Sequence, residues 1–287
     1  MSTNRPSLTD LSFDTDQLRS LGVYVGLYGT AFLFLVPYIW MVSTSLKPRA
    51  EIYSAVPNLI PEELTLYWYR YLFANSEIIT WTVNTFVLAG ITTVVVLLID
   101  SMIAYSLTRL DWPGQRLVFG VILGSFLVPG IINLVPVFII TSELGLVNSL
   151  LGVVLPSVVN PLGVFMLYQF FRDIPVELEE AARIDGFSRL RIFIQIILPL
   201  MRSALVALGL FIFIWTWNAF VWPLLILQDE SLYTLPIGLV NLRDNMGVAE
   251  PGIVLTSAVV ASIPLLLLFL LLQRQLVEAV ELQGTVR

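Results

Sequence analysis

The 287-residue sequence is 57% hydrophobic and 13% charged, with a mean hydropathy of +0.87, beyond the apolar share of an ordinary soluble domain. It holds no cysteine and no histidine, which removes disulfides, thiol nucleophiles, imidazole bases, haem and the usual zinc sites in one step. The net charge is −6 with a pI near 4.7, and Lys47 is the single lysine among fifteen cationic residues. That balance fits an acidic chain in a salty cytoplasm, and equally the drift of a GC-rich genome.

A bilayer requires about 20 mainly apolar residues per helix, and six such stretches fit the chain. Residues 1–20 are polar and acidic, without a basic region or cleavage site, so the stretch that follows reads as an anchor. The first span is expected from Leu21 to Thr44, the second from Trp81 to Leu107, with a polar, aromatic loop between them. The third covers 117–141, the fourth 150–171, the fifth 203–227 and the sixth 253–273; residues 277–287 form a tail. Pro129, Pro136, Pro156, Pro161, Pro223 and Pro264 fall inside spans, where a freed carbonyl needs protein or a water-filled cavity to satisfy it. They mark spans that line a pathway, or kinks that serve packing. Cations are retained on the cytoplasmic side, and with the N-terminus inside, eleven Arg residues fall on inner segments against four cations outside. Both termini are therefore expected in the cytoplasm, together with the segment 173–200.

That segment reads DIPVELEEAARIDGFSRLRIFIQIILPL. Pro175 suits the first turn of a short helix and Gly186 its C-terminal cap. On a helical wheel Leu178, Ala181, Ala182 and Asp185 share a small apolar face, while Glu179 and Arg183 lie opposite and can pair at i,i+4. Phe187 to Ile197 is amphipathic and suits the membrane surface, before Leu198-Pro199 turns into the fifth span.

Glu180-Ala181-Ala182, then Gly186, Ile196 and Leu198-Pro199, match in full the EAA-x3-G-x9-I-x-LP spacing of ABC importer permeases, and the chain resembles that family. Further stretches resemble its carbohydrate branch, in particular the second permease of maltose-like heterodimers. They are Trp40 to Lys47 (WMVSTSLK), Asn84-Thr85, Ala104-Tyr105 with Arg109 and Pro113-Gly114, and Trp217-Asn218, Phe220 and Pro223-Leu224. The resemblance implies an all-α membrane domain over 21–276, six helices with a cytoplasmic coupling helix between spans four and five. It implies that Glu180, Ala181, Ala182 and Gly186, with Asp185 beside them, dock into a cytoplasmic ATPase. It further implies a homologous second permease, two ATPase copies that hold ATP and Mg, and an extracellular or lipid-anchored binding protein that delivers a sugar. No cofactor, metal, catalytic residue or nucleic acid is assigned to this chain. Two departures stand out: Ala219 occupies a commonly acidic position, and the tail ends in ELQGTVR (Glu281 to Arg287).

Asn84, Trp215, Trp217, Asn218 and Phe220 are the candidates to line the pathway, since aromatic faces and amides bind sugar rings. An interfacial aromatic belt explains the tryptophans equally. Asp100 faces the cavity, or else a neighbouring helix or the headgroup region. No GxxxxGK[ST] is present, so ATP chemistry must come from a partner. A permease for polyols, glycerol phosphate derivatives or peptides, and a secondary transporter acting alone, are the alternatives.

Overall fold

The computed structural model describes residues 15–245 and 250–284. Most of the acidic N-terminal tail and the last three residues lie outside this range. Among the described residues every element is helical: α1 (Thr15–Ser45), α2 (Arg49–Ile52), α3 (Tyr67–Asn75), α4 (Ile78–Arg109), α5 (Gln115–Ser125), α6 (Leu134–Glu143), α7 (Leu150–Val154), α8 (Pro161–Asp173), α9 (Glu177–Ile184), α10 (Arg189–Ile192), α11 (Leu198–Leu200), α12 (Arg202–Trp217), α13 (Val221–Ile226), α14 (Leu235–Asn245) and α15 (Pro251–Gly284). They form two compact units, Met1–Arg70 with Pro251–Val259, and Tyr71–Glu250 with Val260–Arg287.

In the first unit, α1 leaves its side chains exposed from Ser20 to Pro37, a surface that only lipid or another chain can cover. Its end is different. Ser43 donates to the Leu59 carbonyl, the Ser45 and Tyr69 hydroxyls share a hydrogen bond of 2.9 Å, and Trp68 Nε1 donates to Lys47 O at 2.8 Å. Lys47 is only 3% exposed; its ammonium donates to the Asn58 carbonyl, stands 3.7 Å from Glu51 and lies 5.2 Å from the Trp40 ring centre. The connection expected as a polar loop is a folded knot with two helices of its own. Trp68 packs against Gly252, where a Cβ would fall inside the indole.

The second unit is organised by α4. Its buried residues recur at helical spacing: Ile78, Trp81, Thr85, Leu88, Thr92, Val96, Asp100 and Ala104. Helices α8 and α12 pack along this stripe, with Gly209 of α12 admitting Leu97 and Thr93. Near the start of α4, Trp81 Nε1 donates to Glu230 O and Thr85 Oγ1 accepts from Leu235 N at 2.7 Å, which fastens the entry to α14.

Among the described residues three helices are long and apolar enough to cross a membrane, and the number reaches six if each bent pair counts as one span. The stretches expected as continuous third and fourth spans are broken, and a third break precedes α12. Gln115–Ser125 and Gly130–Glu143 meet at 97°, Leu150–Ser157 and Pro161–Asp173 at 47°, and Arg189–Leu200 and Arg202–Trp217 at 79°. The first two breaks have a local cause. Pro129 and Pro161 lack the donor that would continue a helix, and Asn160 caps α8 by accepting from Leu162 N and Gly163 N. Pro264, by contrast, sits within the unbroken α15. The tail expected from 277 continues that helix to Gly284.

Close packing at glycine gives the first prediction. A Cβ at Gly238 would overlap the Trp81 indole, whereas at Gly120 it meets open space. Gly238→Ala is expected to lower stability by about 1–3 kcal/mol through overpacking, and Gly120→Ala to leave it unchanged or raise it by up to about 1 kcal/mol. Thermal unfolding followed by tryptophan fluorescence in detergent checks both.

Candidate functional site

Two places combine exposed or polar chemistry with a rigid frame: α9 with its flanking turns, and a cavity between α4, α8 and α12.

Helix α9 starts as the sequence suggests. Leu178 N and Glu179 N donate to Pro175 O and Val176 O, and Glu177, Glu179 and Glu180 bring negative charge to the end where backbone N–H groups are free. It ends in a paired turn: Gly186 N donates to Arg183 O and Phe187 N to Ala182 O, both at 3.0 Å. This closure requires the left-handed backbone of Gly186, φ +82°, which a side chain disfavours. Beyond it Ser188 caps α10, accepting from Arg191 N, and Ile192, Phe193 and Ile197 turn inward while Leu190 and Ile194 stay exposed. A π-helical turn over Phe193–Ile197 resets the register before Leu198-Pro199.

The wheel expectation needs one correction, at Ala182, which turns inward with Glu179. Glu179, opposite the outward face, is fully buried. Its Oε1 lies 2.7 Å from Arg109 Nε, its Oε2 accepts from the Tyr105 hydroxyl at 3.1 Å, and Arg183, 45% exposed, reaches only to 3.9 Å. The partner that makes burial tolerable is Arg109, 70 positions upstream, which no local pattern reveals. Ala182 shares the inward side and packs into the core with Tyr105, Phe171 and Ile192. The outward side therefore consists of Leu178, Glu180, Ala181, Ile184, Asp185 and Gly186, and Ile184 is 87% exposed. Of the five residues grouped for docking, four face out and Ala182 faces in. Ile184, Tyr105 and the structural role of Arg109 were missed; the i,i+4 spacing of Tyr105 and Arg109 at a helix end was the available signal.

The cavity has a volume of about 520 Å³. Thr92, Asn160 and Thr216 supply polar groups and Trp215 and Trp222 aromatic faces; no charged side chain among the described residues lines it. Only Trp215 of the five pathway candidates reaches it. Trp217 is 2% exposed and stacks on Phe213 at 5.8 Å, Asn218 closes α12 by donating to Ile214 O, and Phe220 packs on the cluster around Ile226. Asn84 is spent on the Ser231 and Tyr233 carbonyls. The reason is helical: positions 215 and 217 lie about 200° apart. Ala219, at the commonly acidic position, does line the cavity. Asp100 faces a neighbouring helix: its Oδ1 accepts from Asn160 N at 3.0 Å, and Gly163 presses on the carboxylate.

A helical core with broken apolar helices, an uncharged cavity and an outward helix on a buried ionic base defines a multi-pass membrane permease subunit. The match to known proteins carries this further. Residues 68–281 match the family described as binding-protein-dependent transport system inner membrane component, and the chain belongs to it. It is 33% identical over 273 residues to the arabinooligosaccharides transport system permease protein of Halalkalibacterium halodurans, covering 94% of this chain and 98% of that one. It is 32% identical over 246 residues to the trehalose transport system permease protein of Mycobacterium tuberculosis, covering 85% and 89%. Among solved structures, a chain of a bacterial ABC transporter involved in importing the acidic polysaccharide alginate shares the fold, with a TM-score of 0.80 at 22% identity, over 94% of this chain and 99% of that one.

The two tryptophans separate experimentally. Trp217→Ala is expected to cost about 3–5 kcal/mol of stability through a core cavity. Trp215→Ala leaves the thermal midpoint near wild type and lowers uptake about fivefold, the loss of roughly 1 kcal/mol of stacking. Paired melting curves and uptake rates check the difference.

Proposed function

We propose that this permease moves a sugar or oligosaccharide, delivered by an external binding protein, through a pathway formed with a homologous second permease and driven by two copies of a cytoplasmic ATPase. The single observation that carries the coupling role is the outward side of α9, small and apolar at Ala181 and Ile184, acidic at Glu180 and Asp185, and held on a buried base. An exposed Ile184 on a rigid helix in a family of transport subunits is what a docking contact requires. On this reading the six apolar segments are six spans, the termini and α9 face the cytoplasm, and ATP and Mg sit on the partner. The excess of Arg on inner segments supports that orientation.

The sugar class rests on the relatives' named substrates, arabinooligosaccharides and trehalose, and on the cavity's chemistry. Hydroxyls, an amide and an indole face suit neutral rings, and a phosphate or carboxylate would find no cation among the described lining residues. Transport then follows by population shift: ATP-driven closure of the ATPase dimer favours one arrangement of the docked helices, and hydrolysis releases it.

Purification of the tagged chain in mild detergent, with mass spectrometry of what accompanies it, tests the assembly. An ABC ATPase and a second permease are expected, with ATP hydrolysis that rises when a sugar-loaded binding protein is added. A chain that purifies alone without ATPase activity sinks the reading in favour of a stand-alone transporter. Gly186→Trp, which forces a bulky residue into left-handed backbone on the docking side, is expected to abolish uptake while membrane content stays near normal. Unchanged uptake would remove the docking role.

A further inference from the structure

The Arg109 guanidinium, at the end of α4, touches two further elements at once. Its Nε stands 2.7 Å from Glu179 Oε1 on α9, and Nη2 donates to the carbonyls of Phe171 (2.7 Å) and Ile174 (2.6 Å) at the C-terminal end of α8. Tyr105, one turn earlier on α4, donates to the other Glu179 oxygen and lies between the Phe171 and Phe193 rings at 5.8 and 5.1 Å. Glu179 is 0% and Arg109 8% exposed, so these bonds have no water to exchange with. Arg183, 45% exposed, reaches the buried Glu179 only at 3.9 Å and holds it weakly; the buried Arg109 contact is the one that resists slipping.

The same two helices form the cavity wall at their other reach. Thr92 and Val96 of α4, the latter about 20 Å along the helix from Arg109, and Asn160 and Pro161 at the start of α8 all line it. There α4 and α8 are pinned together again, because Asp100 accepts from Asn160 N and Gly163 leaves no space between them. Joined at both ends of α8, α4 and α8 pack as one body, and α9 is tied to that body by side-chain contacts as well as through its flanking turns.

We infer that Arg109, Glu179 and Tyr105 are positioning residues that lock α9 to α4 and α8, so that a displacement of the docking helix arrives at the cavity wall as movement of two rigid helices. This rests on the permease reading, and it assigns the coupling to a buried joint rather than to the exposed residues that touch the partner.

The test uses the whole transporter, this chain with the partners it purifies with, reconstituted in lipid vesicles. Substrate moved per ATP hydrolysed is measured for wild type, Glu179→Gln, Arg109→Lys and Tyr105→Phe. Because the chain has no cysteine, Ser157→Cys on the cavity wall gives a single thiol whose labelling rate is followed with and without ATP in each background. The joint predicts that the complexes assemble and hydrolyse ATP, that transport per ATP falls tenfold or more in Glu179→Gln and Arg109→Lys and less in Tyr105→Phe, and that ATP no longer changes the labelling rate. A wild-type preparation that neither assembles nor transports refutes the permease reading itself. With an active wild type, unchanged transport per ATP in the variants overturns the inference. If one variant fails to assemble, the other two decide; failure of all three makes the cluster a folding element alone and overturns the inference too.

Discussion

Hydrocarbon offers no hydrogen bonds, so every helix that breaks inside a membrane must satisfy its loose backbone groups from protein or a water-filled cavity. This constraint organises the second unit. Where α8 begins after a break, its free N–H groups meet the Asn160 side chain, and Asp100 of α4 takes the N–H of Asn160 itself. Where α7 begins, Ser149 accepts from Gly152 N. Where α8 ends, the Phe171 and Ile174 carbonyls receive the Arg109 guanidinium. Polar side chains thus meet the ends of the broken helices, and α4, which carries Asp100 and Arg109, supplies partners to both ends of α8.

Burial of charge follows from the same logic. A carboxylate and a guanidinium removed from water carry a desolvation penalty of several kcal/mol each, offset only when all their groups are met. Arg109 donates to two carbonyls and stands in ion-pair contact with Glu179, which also accepts from the Tyr105 hydroxyl; Arg109 Nε and Glu179 Oε1 meet as charges without hydrogen-bond alignment. Such a cluster fixes geometry more than it adds stability, since an apolar replacement of equal volume could pack as well. Its presence at the base of the one short helix with an 87%-exposed isoleucine links rigidity inside with accessibility outside.

Much of the fold was legible. The long apolar runs became α1, α4 and α15, and Pro175 and Gly186 bracketed α9 within two residues. The breaks were not, because a proline reports a lost donor but says nothing about what takes the freed carbonyl: Pro129 accompanies a 97° bend while Pro264 lies in an unbroken helix. The inward turn of Glu179 was illegible for a related reason, since its partner sits on another helix far upstream. In the aromatic cluster composition was right and direction was lost. Trp215 faces the cavity and Trp217 the core because two positions on a helix are more than half a turn apart.

The resulting molecule divides its chemistry by access. Charge is kept out of the cavity, where Ala219 replaces the commonly acidic side chain and the polar groups are hydroxyls and an amide. It is retained in the joint beneath α9, where water does not reach, and on the outer side of that helix, where it does. On the permease reading proposed above, a neutral cavity would release a neutral solute without breaking an ion pair, and a charged joint would resist slipping if the helix above it were pushed. Exchanging the two placements would defeat both: a charge in the cavity would hold or exclude solute by its sign, and an apolar joint would allow α9 to slide over α4 and α8 without moving them.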